Sequence, residues 1–183
     1  MRRKAMTLSA RRTTYETDVD VCIDLHGRGE AEVSTGIELL DDMLRIIASS
    51  GQFDIRIKAR GDETGDHHLV EDVGITLGMC LSAVKSGTGS AIVPYGECTA
   101  LAAVSFGAPG FRGDLKLSFE KIGGMAMENL VHFMRSMAYS GSFTLHVITD
   151  GGDDREKIVS AMKALGAALR NAIGDGGFEE RQL

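Results

Sequence analysis

The chain contains a copy of itself. At an offset of 90, Leu40–Ile57 and Leu130–Val147 are identical at six of eighteen positions: Leu40/Leu130, Arg45/Arg135, Ala48/Ala138, Ser50/Ser140, Gly51/Gly141 and Phe53/Phe143. Chance would supply roughly one. At an offset of 88, Asp66–Leu81 and Asp154–Leu169 share Asp66/Asp154, Leu77/Leu165, Gly78/Gly166 and Leu81/Leu169. A duplicated and fused unit implies one pseudo-twofold domain whose two halves close a continuous core.

The periodicities give the unit its elements. Val19, Val21, Ile23 and Leu25 alternate with Asp18, Asp20, Cys22 and Asp24, the pattern of a half-buried strand. His26-Gly27-Arg28-Gly29 turns the chain, and Glu30 to Val33 is expected to return as its hairpin partner. Thr35 and Glu38 form a capping box ahead of a helical stripe, Ile37, Leu40, Leu44, Ile47 and Ala48, that Gly51 ends. A strand around Phe53, Ile55 and Ile57 and a polar loop at 61–65 lead to a helix with Val70, Val73, Leu77, Leu81 and Val84 on one face. The first half reads β-β-α-β-α. In the second, three short strands between Ala91 and Phe119 precede a helix, a strand and a helix at about 125–140, 142–149 and 153–173. Met125, Met127, Met134 and Met137 fall at helical spacing and read as core or subunit interface. The boundaries are a flexible basic start at 1–10, a first repeat at 11–86 and a second at 87–183, fused into one α+β domain.

Composition removes several function classes. No window approaches 18 apolar residues and the basic start lacks an apolar segment behind it, so neither a membrane span nor a secretory signal is expected and the chain reads as cytoplasmic. Net charge is −6, with the positive excess confined to the first dozen residues, which argues against nucleic-acid binding. Cys22, Cys80 and Cys98 suit neither a zinc ribbon nor a disulfide framework and read as small buried groups. No Ser-His-Asp order or dinucleotide fingerprint occurs at a strand–helix junction.

The informative string is His67-His68-x-x-Glu71. At 100° per residue the three lie within one 100° sector of a helix, with Glu71 between the imidazoles. Two imidazoles and a carboxylate suit zinc, manganese or iron, and because the histidines diverge each can serve a different ion. Two histidines at a helix start are otherwise poorly placed, since a protonated imidazole opposes the helix dipole there. The bland alternative is a solvated polar helix start. The repeat is not symmetric here: His67, His68 and Glu71 align with Arg155, Glu156 and Val159.

Ser34-Thr35-Gly36-Ile37-x-x-Leu40-Asp41-Asp42-Met43-Leu44 and Asp66-His67-His68-x-Val70-Glu71-Asp72-Val73-Gly74-Ile75-x-Leu77-Gly78 closely resemble the imidazoleglycerol-phosphate dehydratase family of histidine biosynthesis. Arg12-x-Thr14-x-Glu16-Thr17, Ser90-Ala91-x-Val93-Pro94, Thr144-Leu145-His146 and Lys163-Ala164 are also similar, so the resemblance spans about residues 11–173. It implies a sheet/helix/sheet sandwich of duplicated half-domains and homo-oligomers, trimers assembled into a symmetric shell. It also implies two Mn2+ ions held between subunits, a small-molecule phosphate substrate and no redox cofactor. The family's ions hold the substrate imidazole as imidazolate, so that a carbon proton can leave and hydroxide be expelled.

Carried over position by position, the resemblance implies that His67, His68, Glu71 and His146 are metal ligands, with Asp42 and Glu156 standing where the family has histidine. Glu16 matches the acid/base glutamate and Lys163 remains for the phosphate, which Arg112 or Lys85 could also reach. Departures are concentrated elsewhere: Arg155 and Val159 cannot ligate, Gly96 stands for an expected aspartate, and Gly87 and Pro109 stand for phosphate-binding arginines. Two functions follow, a metal-dependent dehydratase with an altered site, or a catalytically impaired paralogue with a structural, regulatory or assembly role.

Overall fold

The computed structural model describes residues 6–61 and 66–174; the residues before 6, the polar loop at 62–65 and the tail from 175 lie outside it. The first half runs β1 (Thr7–Thr13), β2 (Thr17–Asp24), β3 (Ala31–Ser34), α1 (Glu38–Gly51), β4 (Asp54–Gly61) and α2 (His67–Leu81). The second runs β5 (Thr88–Tyr95), β6 (Cys98–Phe106), β7 (Gly110–Asp114), a two-residue pair β8 (Lys121–Ile122) and β9 (Met125–Ala126), then α3 (Met127–Ser140), β10 (Phe143–Asp150) and α4 (Asp154–Gly174). The sheets have the same order, β1-β2-β4-β3 and β5-β6-β10-β7. In each, the last-placed strand is parallel to its neighbour and the other pairings are antiparallel.

The four helices fill the space between the sheets. Helix α2 packs on β1, β2 and β4, and α4 on β5, β6 and β10, while α1 crosses α4 and α2 crosses α3. Inward positions alternate along the strands, Val19, Val21 and Ile23 in one sheet and Ala100, Ala102 and Val104 in the other, and all are buried. Met125, Met127, Met134 and Met137 are buried in this core.

The repeated residues are those at the helix crossings. A β-carbon on Gly78 would lie 2.5 Å from Met137 O and 2.9 Å from Gly141 N; one on Gly166 would lie 2.6 Å from Ile47 O and 3.0 Å from Gly51 N. Met137 and Ile47, and Gly141 and Gly51, are themselves related by the offset of 90. Only glycine lets the backbones approach this closely. The rings of Phe53 and Phe143 in turn occupy the space that side chains at Gly51 and Gly141 would need.

Three local expectations differ from the structure. The basic start is not free as far as residue 10: Thr7–Thr13 pair with Asp18–Asp24 as an edge strand. Its outward face is Thr7, Ser9, Arg11 and Thr13 and its inward residues are only partly buried, so its hydrophobic alternation is weak. The 31–34 segment is no hairpin partner of β2, because β1 and β4 take both edges of β2; it lies parallel to β4, with Val33 opposite Ile57. The turn before it is gripped by Asp54 Oδ1, which accepts the backbone N–H groups of Arg28, Gly29 and Glu30 at 2.7, 3.1 and 3.0 Å. Finally, Ile37 is the N-cap of α1, so Glu38 stands too early for a capping box. Asp41 takes that role, accepting the Thr35 hydroxyl at 2.6 Å and the Thr35 N–H at 3.0 Å.

Candidate functional site

Helix α2 begins at His67, which puts both histidines in its first turn and Glu71 one turn later. The β1–β2 turn carries Glu16 over that helix start, and its Oε2 lies 2.9 Å from His68 Nδ1. The turn is held in place from below. Asp72, buried on α2, accepts Arg12 Nε at 2.7 Å and also the Thr17 hydroxyl, so residues on both sides of Glu16 are tied to the helix that bears His68. These charge-assisted contacts are the strong kind and fix a short turn that would otherwise move.

Helix α3 supplies the other wall. The Nδ1–H of His67 donates to Oδ1 of buried Asn129 at 2.8 Å, and the Ser136 hydroxyl donates to Glu71 Oε1 at 3.2 Å. The His132 ring lies edge-on to His67, centroids 4.8 Å apart, and accepts at Nδ1 from Arg135 at 3.0 Å. His67 and His68 stand 5.6 Å apart at an interplanar angle of 70°. Both imidazoles therefore engage an oxygen through Nδ1 and keep Nε2 available, and that of His67 is 3.9 Å from Glu71 Oε2. His67, His68, Glu71 and Glu16 are each roughly half-exposed, so the cluster opens to solvent.

Its pseudo-twofold mate is a different place. Asp42, Arg155 and Val159 line one cavity of 370 Å³ with Leu39, Ile46 and Ile122. Asp42 is paired with Arg45 at 3.0 Å. Glu156 turns away from this cavity, its carboxylate accepting the N–H of Asp153 at 3.1 Å and of Glu97 at 3.4 Å. Its carboxylate also occupies the space that a side chain on Gly96, at φ +58°, would enter. Asp42 and Glu156 are thus not brought together with the histidines or with each other.

Of the other expected residues, His146 lies on β10, opposite Ala103 and Arg112, on the outward face of the second sheet. Neither it nor Arg112 reaches the His67–His68 cluster. Lys163 on α4 stacks over the Tyr95 ring, 4.4 Å from its centroid, and borders a cavity between the two halves with Arg45 and Ser49 of α1 and Val93 of β5. Asn129 and Ser136 do not stand out in the sequence, and His132, though aligned with Asp42 by the repeat, reads there as a structural helix histidine. The signal for them was the repeat, which aligns His132 with Asp42, together with their spacing of three and four along one helix face.

A divalent cation fits the donor types at the first cluster, two imidazoles and two carboxylates. Among the described residues, though, no three such side chains converge closely enough to enclose one. The donors form two pairs, His67 with Glu71 and His68 with Glu16.

The sequence profile of imidazoleglycerol-phosphate dehydratase matches residues 35–169. The imidazoleglycerol-phosphate dehydratase of Methanocella arvoryzae is 41% identical over 171 residues, covering 88% of each chain. The bifunctional histidine biosynthesis protein HisB of Bacteroides fragilis is 35% identical over 170 residues, 89% of this chain and 46% of that protein. Among solved structures, that of the Staphylococcus aureus dehydratase superposes with a TM-score of 0.80 at 27% identity, covering 91% of this chain and 98% of that one. The Pyrococcus furiosus structure, a complex with (S)-C348, gives 0.79 at 32% identity over 93% and 95%.

Proposed function

The chain belongs to the imidazoleglycerol-phosphate dehydratase family, and we propose that it catalyses a metal-dependent dehydration of imidazoleglycerol phosphate or a close relative. The observation that carries this reading is the 2.9 Å approach of Glu16 to His68, beside the His67–Glu71 pair. A dehydration removes a proton from carbon and hydroxide from its neighbour as a double bond forms, with no change in oxidation state, so it needs a base, an acid and electrophilic assistance. His67 with Glu71, and His68, would hold a divalent cation such as Mn2+ once another copy completes the ligand set, and the cation would supply that assistance. Glu16 would accept the carbon proton and pass it to the departing hydroxyl, with its turn held by the contacts of Arg12 and Thr17 to Asp72.

The phosphate requires a cation, and the candidate Lys163 sits on α4, in the second half of the same chain. We therefore place the complete site between copies in a homo-oligomer, Glu16 and the histidines from one and Lys163 from another. Paired donors rather than a closed ligand set support the same arrangement. The experiment is complementation: Glu16→Gln and Lys163→Ala are each expected to be inactive alone, and an equimolar mixture reassembled from subunits should regain activity through hybrid sites. Failure of the wild-type protein to convert the substrate in the presence of Mn2+ would remove the enzymatic reading. That result would favour the impaired paralogue, for which the closure of the Gly96 site by Glu156 is the specific observation.

A further inference from the structure

The two ends of the helix layer are equivalent in position and opposite in chemistry. At the first, His67, His68 and Glu71 of α2 face Asn129, His132 and Ser136 of α3. The offsets of 88 and 90 map these onto Arg155, Glu156 and Val159 of α4, and onto Leu39, Asp42 and Ile46 of α1. Leu39, Asp42, Ile46, Arg155 and Val159 do share a cavity, so the mapping is spatial as well as numerical. What the second half has lost is therefore more than ligands: its counterparts of Asn129 and Ser136 are Leu39 and Ile46, which offer no hydrogen bond.

Asn129 is 1% exposed and its Oδ1 can only accept, so the 2.8 Å contact holds the proton of His67 on Nδ1 and its lone pair on Nε2. Ser136 occupies Glu71 Oε1 and leaves Oε2 facing that lone pair across 3.9 Å. Partners behind a ligating imidazole and carboxylate fix tautomer and orientation and so raise affinity.

We infer that Asn129 and Ser136 are positioning residues that preset His67 and Glu71 for a divalent cation, and that this support exists at one end of the domain only. The Asp42 end, with a guanidinium in the place of His67 and aliphatic side chains behind it, takes no cation. The inference rests on the metal dependence proposed above.

The test titrates Mn2+ alone into the intact protein by calorimetry, alongside imidazole 15N spectra of the metal-free protein. Wild type is expected to bind one ion per chain. Asn129→Leu, which installs the residue of the other half, should weaken binding about 10–100-fold, and its His67 spectrum should show both neutral tautomers. Asn129→Asp, which keeps the acceptor and guards against a folding defect, should stay within a few-fold of wild type with the Nδ1-protonated form. Unchanged affinity and tautomer in folded Asn129→Leu would overturn the positioning role. Two ions per chain would overturn the one-sidedness. Absence of any Mn2+ binding would instead defeat the metal reading, and the spectra would still decide what Asn129 does to His67.

Discussion

Oε2 of Glu16 lies 2.9 Å from Nδ1 of His68, although the two residues are 52 positions apart (68 minus 16) and belong to a strand turn and a helix start. The contact exists because Asp72, one helical turn beyond His68, binds Arg12 and Thr17 on either side of Glu16.

Glu16→Gln should leave the fold intact, since Glu16 is half-exposed, yet lower kcat by roughly 10²–10⁴, the range for removing a positioned general acid–base. Steady-state turnover of imidazoleglycerol phosphate with saturating Mn2+ checks this. A loss confined to KM would assign Glu16 to binding.

Gly78→Ala and Gly166→Ala should each destabilise the domain by about 3 kcal/mol, because the added carbon would meet a backbone oxygen at 2.5 or 2.6 Å that cannot withdraw without moving a helix. Gly174→Ala, with nothing within 4 Å of the new carbon, is the control and should cost nothing. Urea midpoints of the three variants decide it.

Asp154 anchors the segment ahead of the β8–β9 pair to α4. Burial by itself would raise its pKa, but the N–H groups of Phe119 and Ser118 at 2.7–2.8 Å and the Lys157 ammonium outweigh burial and hold it below 3.8. A carboxyl depressed in the folded state stabilises above its unfolded pKa and loses that contribution as pH falls through the folded value. Asp154→Ala should therefore cost about 2–3 kcal/mol near neutrality, and the gap to wild type should narrow in denaturation curves taken below pH 3.8.

Cys80 behaves in the opposite sense. Burial first, and the neighbouring Cys22 and Asp20 next, push its thiol from 9.0 up to about 12. Below pH 9 both states keep the proton and nothing is lost. Between about 9 and about 12 the unfolded chain releases it while the folded one does not, so stability should fall by up to about 1.4 kcal/mol per pH unit. Chemical denaturation of wild type and Cys80→Ala at pH 8 and 10.5 measures the term. A parallel decline in the two proteins would show that Cys80 is not its source.

Much of this protein is written locally. The offset repeat specified two equivalent halves because Gly51, Phe53 and Gly78, and their mates, are required wherever two helices cross at backbone contact. The His67-His68-x-x-Glu71 spacing likewise needed only the pitch of a helix to bring its donors to one sector. Strand partnership was not legible: β3 reads as a hairpin return, and only the occupation of both edges of β2 sends it to β4. Nor could the sequence separate Glu156 from a ligand, or His132 from a structural histidine. Glu156 is drawn to Asp153, three residues back, and to the N–H group of Glu97, 59 positions away, and His132 meets His67 only across two packed helices. Periodicity and repetition are properties of neighbours along the chain, whereas which carboxylate meets which imidazole depends on how the two halves close, and that was decided in the tertiary structure.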